Sequence, residues 1–230
     1  MNARSGLAAL IVPALLLGCA HAPKDYTKLV AAQPRSILVV PVVNKSVDVN
    51  AADYFLSTVP IPVAERGYYV FPVNLVKRLL EDDGLADPFL VHGADPMRLA
   101  ALFGADAVLY VSIERWDAKY VVIQTSVTVQ TKYLLKDGKT GDTLWQDEEK
   151  AVYSSNQNNQ GGLIGAIVGA AITKAAPNYM PLARQANWTA FRYPGPGFPS
   201  GPYHPEFGKD YLVAQQQQEA PAGAATAPAR

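Results

Sequence analysis

Three observations predict an α/β fold, a mixed sheet with helices packed on it. The run Ser36-Ile-Leu-Val-Val-Pro-Val-Val43 is continuously β-branched or apolar, the mark of a buried strand. Helix signals then intervene before a second apolar run at Tyr68–Val73, the order of a parallel crossover. From Asp106 onward the period changes to two and turn residues recur, which predicts an antiparallel meander. The expected order is β-α-β-α-α-β-β-β, followed by a glycine-rich C-terminal helix and an irregular tail.

Each element has its own signal. Asn50 and Asp53 start a helix through about Val59, which Pro60 and Pro62 must kink or break. Gly67 ends the following turn. Asn74 is the expected N-cap of a helix carrying Leu75, Val76, Leu79 and Leu80 on one side. Asp95-Pro96, a cap with proline at the first helical position, opens a short helix with Met97, Leu99 and Leu102, closed by Gly104. A strand over Asp106–Trp116 precedes a long one from about Ala118 to Leu135. On the latter, Val121, Ile123, Val127, Val129 and Tyr133 share one face, and Gln124, Ser126, Thr128, Gln130 and Lys132 the other. Asp137-Gly138 and Thr140-Gly141 supply the turn into a more polar strand, Leu144–Tyr153.

The chain has 230 residues, 20 Lys+Arg against 20 Asp+Glu, and a single cysteine. Zero formal charge and the lack of a basic block give no electrostatic pull toward nucleic acid. One cysteine excludes an intramolecular disulfide and a multi-cysteine metal site. Met1–Gly18 reads as an export signal: Arg4, an apolar run from Leu7 to Leu17, then small Gly18. The run is too short for the roughly 20 residues of a spanning helix.

Leu16-Leu17-Gly18-Cys19 resembles the lipobox of bacterial lipoproteins. That resemblance implies diacylglycerol on the Cys19 sulfur, removal of residues 1–18 and acylation of the new amino group, with no other cofactor. Ala20, where inner-membrane retention commonly uses Asp, points to the outer membrane, on its periplasmic face. Residues 19–35 are then a lipidated tether, of which 20–35 extend about 50–55 Å at full stretch. The α/β domain spans 36–192, including a glycine-rich helix over 161–173. A Pro/Gly-rich strap occupies 193–214, either crossing back over the domain or engaging a partner groove. Residues 215–230, rich in Gln, Ala and Pro, are expected to be disordered.

The lipobox, Pro34-Arg-Ser-Ile-Leu-Val-Val-Pro41, Gly67-Tyr-Tyr-Val-Phe-Pro72, Phe103-Gly-Ala-Asp-Ala-Val-Leu-Tyr110 and Pro202-Tyr-His-Pro-Glu-Phe-Gly-Lys209 together resemble a lipoprotein family typified by a meningococcal surface-antigen candidate. Thr140-Gly-Asp-Thr-Leu-Trp145 is also similar to the last hairpin of CsgG-type curli-secretion and LpoB-type synthase-activator lipoproteins. The resemblance implies a small α/β domain like the N-terminal domain of TolB. It also implies a non-enzymatic accessory in envelope assembly or secretion, in contact with itself or another, CsgG-like envelope lipoprotein. It carries no catalytic residues to transfer. The alternative it implies is a periplasmic activator of a peptidoglycan synthase, which needs a long tether.

The chemistry-bearing residues agree with a non-enzyme. No P-loop, nucleophile-elbow or zinc-helix motif occurs. His21, His92 and His204 are far apart in sequence, so no metal site is expected, and no small-molecule substrate is evident. Glu81-Asp82-Asp83 and Asp147-Glu148-Glu149 diverge on a helix or strand, as solvated faces do. Gly161, Gly165 and Gly169 recur every four residues, a flat helical stripe that another backbone can approach. A helix to Lys174 is about 20 Å long, short of the roughly 30 Å hydrocarbon core. The stripe therefore docks on its own sheet, meets a partner or second copy, or inserts partly into the membrane. Tyr68, Tyr69, Tyr110, Trp116, Trp145 and Trp188 are read as core rather than a binding face.

Overall fold

The computed structural model describes residues 25–121, 124–154, 172–173, 176–177, 179–192 and 198–209. It is a mixed sheet with helices packed on it, as expected, and the helices lie on both faces. The sheet order is β3-β1-β4-β5-β6, with β2 also on β4. Strands β1 (Ser36–Val39), β2 (Val43–Asn44) and β3 (Tyr69–Val70) are parallel to their neighbours. Strands β4 (Ala107–Val121), β5 (Gln124–Asp137) and β6 (Thr143–Ser154) form the antiparallel meander.

One core contains Ile37, Val39, Leu109, Val111, Val129, Tyr133 and Leu135, facing α2 (Ala51–Leu56), α3 (Pro60–Glu65) and α7 (Met180–Arg192). The other contains Leu38, Val40, Val108 and Tyr110. It faces α4 (Val73–Asp82), α5 (Pro88–Gly93) and α6 (Pro96–Phe103). Alternate residues of β1 and β4 thus serve two layers, which is why these strands read as continuous apolar runs.

The structure departs from the expected elements at specific places. The run Ser36–Val43 is two strands, because Pro41 has no N–H to donate to a ladder. The second run shrinks to Tyr69–Val70. Helix α4 starts one residue before Asn74, after Pro72, and no side chain caps it. Val73, Val76 and Leu80 face inward, while Leu75 and Leu79 are exposed. Helix α5 was not expected, although Asp87 caps it through a 2.8 Å bond from Phe89 N and Pro88 sits at its first position. Asp95 caps α6 in the same way, from Met97 N at 2.9 Å.

The tether assignment for 19–35 is also corrected. Helix α1 (Thr27–Ala32) lies within it, and Tyr26 and Leu29, three residues apart on one helical side, are buried against the β6 end of the core. The folded domain therefore includes Tyr26 and α1, upstream of Ser36. Of the glycine-rich segment, residues 161–171 lie outside those described. Ile172–Thr173, read as the end of that helix, instead form β7, paired with β8 (Ala176–Pro177).

Two motif segments meet at the start of the sheet. Asp106 Oδ2 accepts from Arg35 N at 2.9 Å, Ser36 N at 3.1 Å and Ser36 Oγ at 3.0 Å, and Ser36 Oγ accepts from Asp106 N at 3.0 Å. This reciprocal clamp sets the β1–β4 register. The other two motif segments also meet. Gly201 N donates to Arg66 O at 2.6 Å and Tyr203 N to Gly67 O at 3.1 Å. Gly67, at φ +81°, has the backbone of His204 where a Cβ would sit, so only glycine admits this close approach. Phe198–Lys209 is thereby strapped across the domain.

Candidate functional site

Strand β4 has 15 residues, about 50 Å at 3.3 Å per residue. Helices α5 and α6 have six and eight residues, about 9 and 12 Å at 1.5 Å each. They roof the β1–β4 end of one sheet face and, among the described residues, leave the rest of the meander open. The open face presents Ser112 and Glu114 from β4, Gln130, Lys132 and Lys136 from β5, and Gln146, Glu148 and Lys150 from β6. The register brings Ser112, Lys132 and Glu148 side by side across three strands. Where this face meets α5 and the start of α6 there is a groove of about 800 Å³.

Most charges of the groove are paired. Lys45 Nζ lies 2.7 Å from Glu114 Oε1, and Lys132 Nζ 3.7 Å from Glu148 Oε2. Gln130 Nε2 donates to Glu148 Oε1 at 2.6 Å. Such exposed pairs contribute little stability, about 0–1 kcal/mol each. They set a pattern of alternating sign that a partner must match. Lys136 has no carboxylate partner among the described residues; its Nζ donates to Gly141 O at 3.4 Å.

The closed end is His92 against Tyr110, ring centroids 5.1 Å apart and edge-on at 82°. His92 Nε2 is 3.0 Å from Pro41 O. A carbonyl only accepts, so Nε2 carries the proton and Nδ1 keeps its lone pair. Burial, with Lys45 adding to it, lowers the His92 pKa below 6.5 despite the Pro41 bond. The buried Tyr110 hydroxyl has no hydrogen-bond partner among the described residues. Burial and the charge of Asp95 push it up to about 12, so it remains a neutral donor.

A pH dependence follows. The folded state holds His92 neutral, and the unfolded chain protonates it near pH 6.5. Its contribution is fully present above that pH and is lost as pH falls through the window below it. Thermal unfolding between pH 7.5 and 5 should therefore show a decline in Tm that His92→Gln, which retains the donor to Pro41, reduces. An identical decline in the variant would remove His92 from the account.

Of the residues picked out from sequence, Cys19, Gly161, Gly165, Gly169 and His21 lie outside the described residues. His92 and His204 sit on separate elements, α5 and the strap. Among the described residues, no three His, Cys, Asp or Glu side chains stand where they could hold a metal ion. Glu81 and Asp82 pair with Lys77 and Arg78 on α4, at 4.0 and 3.3 Å. Tyr68, Tyr110, Trp116 and Trp145 are buried, whereas Tyr69 and Trp188 are about half exposed. The groove itself was missed; the polar alternation of β5 was its visible signal, and the His92–Tyr110 contact left none.

No helix of the described residues is long and apolar enough to cross a membrane. The family model described as "Putative lipoprotein GNA1162-like" matches residues 24–190. The chain is 36% identical over 166 residues to the "Putative lipoprotein NMB1124/NMB1162" of Neisseria meningitidis serogroup B, covering 72% of this chain and 77% of that one. The crystal structure of lipoprotein GNA1162 from Neisseria meningitidis is similar at a TM-score of 0.53 and 36% identity, over 60% of this chain and 94% of that one. The LpoB C-terminal domain from Salmonella enterica is 22% identical at a TM-score of 0.33, over 51% and 83%. That last likeness is too low to carry a role across.

Proposed function

Because the chain belongs to the GNA1162-like lipoprotein family, we propose that it is an outer-membrane lipoprotein acting without catalysis, as an accessory in envelope assembly or secretion. It works through protein contacts on the open face of β4–β6. The observation that carries this reading is the sheet face that α5 and α6 leave open among the described residues: patterned with Glu114, Lys132, Gln146 and Glu148, it has the mixed-sign character that fixes register and excludes wrong partners. The partner is another envelope lipoprotein or a second copy.

The burial of Tyr26 adds a distance argument. With acyl chains on Cys19, the free span to Tyr26 is at most about 25 Å. The domain is then held beside the bilayer, which weighs against a regulator that crosses the periplasm to a peptidoglycan synthase. The test is a photo-crosslinking residue at exposed Gln146, with a control at Arg78 on α4. Capture of one discrete envelope lipoprotein, or of the chain itself, from Gln146 alone is expected. Lys132→Glu should reduce that capture about tenfold, a loss of ~1.4 kcal/mol. Equal capture from both positions, or recovery of a cell-wall synthase, would replace the reading.

A further inference from the structure

We propose that the surface made by α1 and the strap, with Tyr203 and Phe207 exposed on it, rests on the bilayer as a second, non-covalent membrane contact. The inference depends on the reading of Cys19 as the acylated anchor.

Asp25 is exposed and Tyr26 is 3% exposed. A lipid on Cys19 therefore holds the start of α1 within about 25 Å of the headgroups. Helix α1 is six residues, about 9 Å long, so its whole length shares that proximity. The strap lies against it: Leu29, Val30, Gln33 and Pro34 line one small cavity with Pro202 and Phe207. Whatever surface the tether confines α1 to, the strap is confined with it.

The strap is also built to present side chains. Phe198, Pro199, Ser200 and Gly201 are buried, and the bonds from Gly201 and Tyr203 to Arg66 and Gly67 pin its backbone. Tyr68 Oη donates to Pro199 O at 2.9 Å. On this rooted base Tyr203 is 67% exposed and Phe207 39%. Tyrosine combines an apolar ring with a polar tip and is enriched at headgroup depth. Lys28 on α1 and Arg35 just beyond it are exposed, suited to anionic headgroups. By contrast, the exposed Phe89 and Leu90 belong to α5, which packs on the opposite face of the sheet from α1.

The test uses the full-length, processed protein in vesicles of phosphatidylethanolamine and phosphatidylglycerol. An acylated Cys19 sulfur is a thioether and does not react with thiol labels, so Tyr203→Cys, Phe207→Cys and the control Leu90→Cys each offer one nitroxide position. Electron paramagnetic resonance then compares collisions with oxygen and with a water-soluble nickel chelate. The labels at 203 and 207 should favour oxygen severalfold over the label at 90. Equal, water-like accessibility at all three overturns the proposal. Spin–spin broadening at 203 without oxygen preference also overturns it, assigning the face to a second copy. Intact mass and vesicle flotation separate the two ideas. A chain without acyl groups removes both, whereas an acylated, floating chain with a wet strap removes only this one.

Discussion

Replacing Phe198 with alanine is expected to lower the unfolding free energy by about 3–5 kcal/mol, the range for a fully buried phenylalanine. The residue is wholly buried. Its ring lies 4.8 Å from that of Trp145, 5.2 Å from Phe191 and 5.4 Å from Tyr68, so it joins β6, α7 and the segment entering β3. The strap after it buries few other large side chains, and the rest of its hold is backbone bonding to Arg66 and Gly67. Truncation should therefore also free the strap, visible as faster amide exchange at Gly201 and Tyr203. Urea unfolding followed by near-ultraviolet circular dichroism measures the first effect. A loss below about 1 kcal/mol, the scale of an ordinary surface change, would mean that Phe198 fills a site that collapses without it.

How much of this was legible in the sequence depends on the range of the signal. The β5–β6 hairpin was readable because its turn is written locally: Asp137 Oδ1 accepts from Lys139 N at 2.7 Å and Thr140 N at 2.9 Å, and Gly141 adopts φ +74°. The end of β4 was misplaced because of a bulge between Ile113 and Arg115. Ile113 and Trp116 both face the same core, which breaks the period of two and imitates a strand end. Helix α1 was hidden because six residues show too little periodicity. The Asp-Pro signal opening α6 was read, while the same pair at Asp87-Pro88 was not. The candidate site was half visible. The polar alternation of β5 was plain, but that α5 and α6 stop short of it depends on their lengths of six and eight residues, which the alternation does not encode. The meeting of His92 with Tyr110 is a long-range event that no local pattern encodes.

The second large effect concerns a buried polar chain that ties β5 to α7 and the α2–α3 turn. Thr131 Oγ1 donates to Tyr133 Oη at 3.2 Å, and Tyr133 Oη donates to Asn187 Oδ1 at 2.9 Å. Asn187 Nδ2 then donates to Thr58 Oγ1 at 2.7 Å, whose hydroxyl donates to Phe55 O at 2.7 Å. All four side chains are buried, and burial raises the Tyr133 pKa well above the ordinary phenol range, so it stays a neutral donor. Asn187→Ala leaves the Tyr133 hydroxyl without its acceptor and the Thr58 oxygen without its donor. Each orphaned group costs about 1–3 kcal/mol, so a combined loss of about 2–6 kcal/mol is expected. Tyr133→Phe removes one link and should cost about 1–3 kcal/mol. Because the bond is then already gone, the double variant should lose less than the sum by at least about 0.5 kcal/mol. Additive losses in urea unfolding would show that the two side chains are stabilised separately, and that packing of Tyr133 against Phe55, Trp145 and Phe191 holds α7 on the sheet without the polar chain.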